Sequence, residues 1–134
     1  MPSIAAIEGL GVRNATKLRK ARIRTTERLL KVAGDRSGRR ALAEETGLEP
    51  KQILAWVNRA DLMRVKGVGE EYSDLLERAG VDTIKELRRR NPQNLLAAML
   101  EINDRKRLVQ RAPTASMVEA WVEHAKTLDP VVTH

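Results

Sequence analysis

Cysteine is absent from the 134-residue sequence, and histidine occurs only twice. Without thiolates the chain cannot form a disulfide framework, a cysteine nucleophile or a cysteine-ligated metal site. Aromatic residues make up only 2% of the composition, with two Trp, one Tyr and no Phe. We therefore do not expect the base-stacking platforms on which many RNA-binding and single-strand-binding modules depend.

Long apolar runs are also missing. No uncharged stretch approaches the length of a membrane span, and residues 1–7 are too short for a signal peptide with a basic start and an apolar middle. We expect a cytoplasmic protein that makes no membrane contact. No group of polar residues has the spacing of a nucleophilic or metal-assisted catalytic site, so we expect no enzyme activity, no metal and no cofactor.

What the sequence does contain is a helical composition with a basic balance. Lys and Arg number 25 against 18 Asp and Glu, a net charge of +7. Apolar residues recur at spacings of three and four, which predicts an all-α fold. The predicted helices span residues 12–21, a segment that starts near Thr25, and residues 39–46, 50–61 and 113–128. Residues 34–38 are predicted to be a loop, and residues 103–114 are predicted to be a loop or a broken helix.

An internal repeat follows when the chain is aligned with itself at an offset of 58. The pattern apolar-x-Gly-apolar-Gly at residues 7–11, here the first hairpin, aligns with the same pattern at residues 65–69, the second hairpin. Farther along, the offset becomes 65, so that Trp56 aligns with Trp121. The alignment predicts a first repeat at 1–62, a second repeat at 63–128 and a tail at 129–134.

The twice-occurring glycine pattern suits a loop that binds an anion. Its first glycine fits a backbone position of positive φ, and its second removes the side chain where a backbone or an anion must come close. The apolar residue between them, Leu10 or Val68, is expected to point inward. The free N–H groups at the start of the following helix would then face a phosphate.

These residues resemble the helix-hairpin-helix superfamily. The later turns, Lys-Ala-Arg-Ile-Arg-Thr at 20–25 and Arg-Ala-Gly-Val-Asp-Thr at 78–83, are similar to those of recombinase N-terminal domains and of the C-terminal domain of the bacterial RNA polymerase α subunit. Residues 4–128 as a whole look like a bacterial family of tandem helix-hairpin-helix proteins defined as a domain of unknown function. The resemblance implies two fused pseudo-repeats in one compact unit, and contact with the DNA backbone without sequence preference.

The two hairpins differ in charge and in their match to the superfamily pattern. Residues 7–31 hold eight basic and two acidic residues, whereas residues 65–89 hold five basic and six acidic ones. Arg22 stands where a glycine is usual, and Glu70 and Glu71 stand where a proline and a lysine are common. Because acids at a helix start repel phosphate, the first hairpin is the predicted phosphate-binding site. Its predicted residues are Gly9, Leu10, Gly11, Arg13, Asn14, Lys17 and Lys20, and the weaker second hairpin offers Lys66, Gly67 and Gly69.

DNA is the expected partner, bound without sequence preference. Two alternatives stay open: a protein-interaction adaptor that uses the acidic second hairpin, and an RNA-associated protein. Residues 42–48 with the helix after Pro50 also look like a helix-turn-helix that would present Lys51, Gln52, Ala55 and Asn58 to a major groove. A plain helical hairpin explains the same pattern of apolar positions, and we favour it.

Overall fold

A computed structural model of the chain describes residues 2–7 and 9–134. Met1 and Glu8, the second of which counts among the acids near the first hairpin, lie outside the described residues. The described residues are helical with no β-strand beyond an isolated bridge between Ser3 and Thr25, so the all-α prediction is confirmed. After a single 3-10 turn at Ile4–Ala6, the helices are α1 (Gly11–Lys20), α2 (Thr26–Ala33), α3 (Arg36–Thr46), α4 (Pro50–Leu62), α5 (Glu70–Arg78), α6 (Ile84–Leu87), α7 (Pro92–Lys106) and α8 (Ala115–Thr127).

The helices form two compact units. The first unit comprises the chain up to Asp61 together with Val131–His134, and the second comprises Leu62–Pro130. The last four residues, which the sequence leaves as part of a tail, pack within the first unit. There Val132 is buried, and the Thr133 N–H donates a hydrogen bond of 2.9 Å to the Gly34 carbonyl.

In the first unit, α1 and α2 form where the apolar spacing predicts them. Ala15 and Leu18, three positions apart, are the buried residues of α1. The Thr25 hydroxyl accepts a hydrogen bond of 3.1 Å from the Arg28 N–H and so caps α2. As predicted, α2 buries Leu29, Leu30 and Ala33.

The predicted loop at residues 34–38 is shorter in the structure. Asp35 caps α3 by accepting a hydrogen bond of 2.6 Å from the Gly38 N–H, so the helix already begins at Arg36. Gly47, at a φ of +76°, ends α3 in the left-handed conformation that glycine adopts without a steric penalty. The glycine and serine content of residues 34–38 hid this early start, because the capping carboxylate outweighs the low helix propensity that follows it.

In the second unit, side chains cap three of the helices, whereas α5 begins after Gly69 with no side-chain cap. Thr83 caps α6, Asn91 caps α7 with Pro92 at the next position, and Thr114 caps α8. The predicted loop at 103–114 begins only after Lys106, where α7 ends.

The two units share a set of backbone hydrogen bonds displaced by 58 residues. The Ile23 N–H donates to the Leu18 carbonyl at 2.9 Å, and the Val81 N–H donates to the Leu76 carbonyl at the same distance. The helices α4 and α8 each have 13 residues, and α8 starts 65 positions after α4. Trp56 and Trp121, in the middle of these two helices, are both buried.

Candidate nucleic-acid interface

The first hairpin is held in place by its apolar residues. Ile7 and Leu10 are buried, and the Leu10 N–H donates a hydrogen bond of 3.2 Å to the Ile7 carbonyl. Leu10 therefore anchors the loop, and its amide is committed inside the hairpin. The amides that stay candidates for a phosphate are the ones that follow, at the start of α1.

The two glycines give this loop an open outer surface. Gly9 and Gly11 have φ values of +82° and +79°, and both are exposed. No atom lies within 4 Å of the position that a Cβ atom would occupy on either residue. Positive φ, rather than close packing, is therefore what requires glycine at both positions. The space above the loop is accessible to a ligand.

The start of α1 is well suited to an anion. Helix α1 begins at Gly11, no side chain caps it, and its first turn contains no acidic residue. The first N–H groups of a helix have no acceptor within the helix, so the amides of Gly11, Val12 and Arg13 are donors at the positive end of the helix dipole. A phosphate is the kind of group that such a helix start binds.

A stripe of cationic side chains continues from this helix start. Arg13, Lys17 and Lys20 are spaced by four and three residues, which places them along one face of α1. Arg13 and Lys20 are exposed, and Lys17 is half-buried. Within the described part of the chain none of the three forms an ion pair. We call these three residues the α1 stripe.

The far end of the α1 stripe borders an open depression of about 390 Å³. Lys17 and Lys20 line it together with Ala21 of the following turn and with Glu45 and Thr46 at the end of α3. The carboxylate of Glu45 contributes a negative charge to the lining of this depression.

Asn14, a predicted phosphate ligand, has a structural contact instead. Its Nδ2 donates a hydrogen bond of 2.9 Å to the Leu10 carbonyl, and the residue is partly buried. The neighbouring Thr16 hydroxyl likewise donates to the Val12 carbonyl at 2.9 Å. Both side chains therefore satisfy backbone acceptors of α1, and the stripe contributes the charge of this surface.

The second hairpin repeats the anchored loop and makes a contact with α8. Val65 and Val68 are buried, and Lys66, Gly67 and Gly69 are exposed. The Lys66 N–H donates a hydrogen bond of 3.0 Å to His124 Nδ1 of α8. The counterpart of Lys66 in the first hairpin, Glu8, lies outside the described residues.

The glycines of the second hairpin are also in a different setting. A Cβ atom on Gly67, whose φ is +88°, would lie 3.2 Å from Trp121 Nε1. Gly69 has an extended backbone with a φ of −99°, whereas its counterpart Gly11 is left-handed. The sequence pattern is the same in the two hairpins, but the backbone that leads into the next helix is not.

Acidic residues and ion pairs complete the contrast. Glu70 and Glu71 are exposed in the first turn of α5, where they stabilise the helix and repel phosphate. Several cations of the second unit are paired with acids one helical turn away: Arg78 with Asp74 at 3.5 Å, Arg90 with Glu86 at 3.1 Å, Arg105 with Glu101 at 3.8 Å and Lys126 with Glu123 at 2.9 Å.

Sequence reasoning missed the contact between α8 and the second hairpin. His124 of α8 accepts the hydrogen bond of a hairpin amide. No local signal in the sequence identifies such a contact, because 58 residues separate donor and acceptor. Among the described residues no group of three or more His, Asp or Glu side chains is placed to hold a metal ion. None of the helices described is both long enough and apolar enough to cross a bilayer.

The chain is thus an all-α protein of two compact helical units, one of which presents a helix start without an acid in its first turn, beside cations that form no ion pair among the described residues. It belongs to the family described as Domain of unknown function (DUF4332), which matches residues 8–128. Searches among curated proteins and among solved structures gave no match.

Proposed function

We propose that this protein is a non-enzymatic DNA-binding module that contacts the phosphate backbone through the first hairpin and α1. The observation that carries the proposal is the coincidence of two features at one place. The amides at the start of α1 have no side-chain cap and no acid in the first turn of the helix, and the α1 stripe continues from them with three cations that form no ion pair in the described chain.

We further propose that each unit is a helix-hairpin-helix pseudo-repeat. The shared hydrogen bonds support this: Leu10 N–H to Ile7 O in the first hairpin corresponds to Val68 N–H to Val65 O in the second. The later turn is also shared, since Arg22 and Gly80, 58 positions apart, both have positive φ. A pair of helices joined by such a hairpin would present the hairpin amides to one strand of a duplex.

In this proposal a phosphate oxygen accepts hydrogen bonds from the amides of Gly11 to Arg13. The guanidinium of Arg13 and the ammonium groups of Lys17 and Lys20 would contact that phosphate or its neighbours along the strand. Charge-assisted hydrogen bonds of this kind position a protein on the backbone and read no base sequence. We therefore expect binding that depends little on sequence and strongly on salt.

A salt titration of duplex binding, followed by fluorescence anisotropy, tests the proposal. If about three to five phosphates are neutralised, the slope of log affinity against log salt is expected to be about −3 to −4.5. Two duplexes of unrelated sequence should give the same slope. Arg13→Glu and Lys17→Glu should each weaken binding about tenfold at low salt and make the slope less negative by about one.

Lys85→Glu is the matched control, because Lys85 is an exposed cation of the second unit and the variant changes net charge by the same amount. It should change the affinity less than the two α1 variants do. Absence of duplex binding by the wild-type protein at low salt, or equal losses from all three variants, would overturn the proposal. Tighter binding to an RNA duplex of the same sequence, or a partner protein that survives nuclease treatment, would favour the alternative functions.

A further inference from the structure

A second basic surface lies in the first unit, away from the first hairpin. It is a cleft of about 270 Å³ between the start of α3 and the start of α4, and we call it the α3–α4 cleft. Arg36, Arg39 and Arg40 of α3 line it, together with Lys51 of α4 and His134. Four of these five side chains carry a positive charge at neutral pH.

The cations of the cleft belong to two kinds. Arg36, Arg40 and Lys51 are exposed, and within the described chain none of them forms an ion pair. Arg39 is only 4% exposed and has its donors committed to backbone carbonyls. Arg39 therefore contributes positive charge and forms part of the lining of the cleft, whereas Arg36, Arg40 and Lys51 are accessible to a ligand.

Arg39 fixes the geometry of this cleft. Its Nη1 donates to the carbonyls of Ala33 and Gly34 at 3.2 and 2.9 Å, and its Nη2 donates to the Thr133 carbonyl at 2.6 Å. The end of α2 and the last residues of the chain are thereby held against α3. His134, next to Thr133, is placed in the cleft by the same contact and lies 3.3 Å from Asn58 Oδ1 through its Nε2.

The cleft has a surplus of positive charge that its own acids do not neutralise. Asp35, at the start of α3, has one carboxylate oxygen committed to the Gly38 N–H. Burial lowers the pKa of the Arg39 guanidinium from its ordinary value, Asp35 counteracts this shift, and Arg36 adds to it. The guanidinium nevertheless stays protonated, since arginine does not lose its proton in proteins. An anion in the cleft would relieve the mutual repulsion of these cations.

We propose that the α3–α4 cleft is a second phosphate-binding site for the same nucleic-acid strand, with Arg36, Arg40 and Lys51 as its ligands. This inference rests on the proposed function. Guanidinium groups form paired hydrogen bonds with phosphate oxygens, and an ammonium group supplies a compact charge. Two arginines and one lysine on converging helix starts therefore match the chemistry of a backbone phosphate.

The geometry of α3 sets the distance between the two sites. Arg36 lies at the start of α3, and Glu45 and Thr46, which border the depression beside the α1 stripe, lie at its end. At about 1.5 Å per residue this separation is about 15 Å along the helix. Along the axis of a duplex, where each strand has one phosphate about every 3.4 Å, this length spans about four phosphates of one strand. The cleft and the stripe could thus contact phosphates of one short duplex.

A triple variant, R36Q/R40Q/K51Q, tests the inference with the full-length chain. Its matched control is K85Q/R89Q/K106Q, which removes three exposed cations from the second unit and gives the same net charge. In salt titrations with a duplex, the cleft variant should bind about tenfold more weakly at low salt. Its slope should be less negative than that of the wild type by about one to two. The control should stay within about twofold of the wild type.

The single variant Lys51→Gln and amide NMR provide a second measurement, in case the triple variant alters the fold. Titration of the wild-type protein with duplex should shift the amide signals of Arg40 and Lys51, together with those of Gly11 and Arg13. In Lys51→Gln, the shifts at positions 40 and 51 should become smaller, and those of Gly11 and Arg13 should not change. Failure of the wild type to bind would overturn the proposed function. Normal binding with no shift at Arg40 and Lys51, and a cleft variant equal to its control, would overturn the cleft alone.

Discussion

The two units of this protein have matching helices and matching hairpins, yet the starts of the helices that follow the hairpins differ in charge and in backbone conformation. In the first unit, Gly9 and Gly11 have positive φ values and lead into a helix with no acid in its first turn. In the second, Gly69 has an extended backbone and leads into a helix with Glu70 and Glu71 in its first turn. The comparison teaches that two copies of one sequence pattern can differ in the charge and the backbone geometry that they present to an anion.

The two units also differ in net charge. Residues 1–60 hold 13 basic and 6 acidic residues, whereas residues 61–134 hold 12 of each. In the second unit, acids one turn away neutralise several cations, and other cations bond to carbonyls, as Arg88 does to Lys126 at 3.0 Å. The unpaired cations of the α1 stripe cost little in stability because they lie in water, and that is the condition in which they can attract phosphate.

The largest expected effect comes from the buried arginine of the first unit. Arg39→Ala removes the side-chain donor to the carbonyls of Ala33, Gly34 and Thr133. The Gly34 carbonyl keeps the hydrogen bond from the Thr133 N–H, and the free energy of unfolding should fall by about 2–4 kcal/mol. Urea denaturation measures this loss, with Arg36→Ala, an exposed neighbour, expected to change stability by less than about 0.5 kcal/mol. Hydrogen exchange should accelerate in Val131–His134 in particular. Unchanged exchange there would contradict the role of Arg39 in holding this segment.

An exchange of helix starts tests the comparison more directly. V12E/R13E places acids in α1 at the positions that correspond to Glu70 and Glu71 in α5. Duplex affinity should fall about tenfold or more at low salt. Stability should stay the same or rise by about 0.3–1 kcal/mol, since acids favour a helix start. Lost binding with retained stability separates a lost phosphate site from misfolding.

The reverse exchange, E70V/E71R, gives the second hairpin the charge of the first. We expect no duplex-induced amide shifts at Gly67 and Gly69, because the Lys66 N–H still donates to His124. Shifts at these glycines, measured by amide NMR, would show that charge alone closes the second hairpin and that the contact with α8 is unimportant.

The smallest effect concerns the turn after the hairpin helix. Arg22 has a φ of +68°, and its counterpart Gly80 has a φ of +95°. Arg22→Gly should stabilise the protein by about 0.5–1 kcal/mol, because glycine adopts this conformation without the steric penalty of a side chain. Gly80→Arg should destabilise it by about 1–2 kcal/mol for the converse reason. Thermal unfolding measures both, and a loss of stability in Arg22→Gly would contradict the strain assigned to this residue.

Local features of the structure follow from the sequence. The spacing of Ala15, Leu18, Leu29 and Leu30 predicted helices and their buried faces, and Thr25 was expected near the start of α2 that it caps. These predictions succeed because apolar periodicity and capping act over three or four residues. The positive φ of Gly9 was predicted in the same way. Boundaries were less accurate where a cap competes with low propensity, as at Asp35.

The candidate site was only partly predictable. The sequence determined the helices, the two glycine loops and the uneven distribution of charge, because each depends on neighbours along the chain. Only the tertiary structure decided that Arg39 is buried with a hydrogen bond to the Thr133 carbonyl, and that the Lys66 N–H donates to His124 of α8. These outcomes depend on which groups meet after folding, since a buried donor must find an acceptor wherever the chain places one. The two contacts join residues 94 and 58 positions apart, a separation that local sequence patterns do not reach.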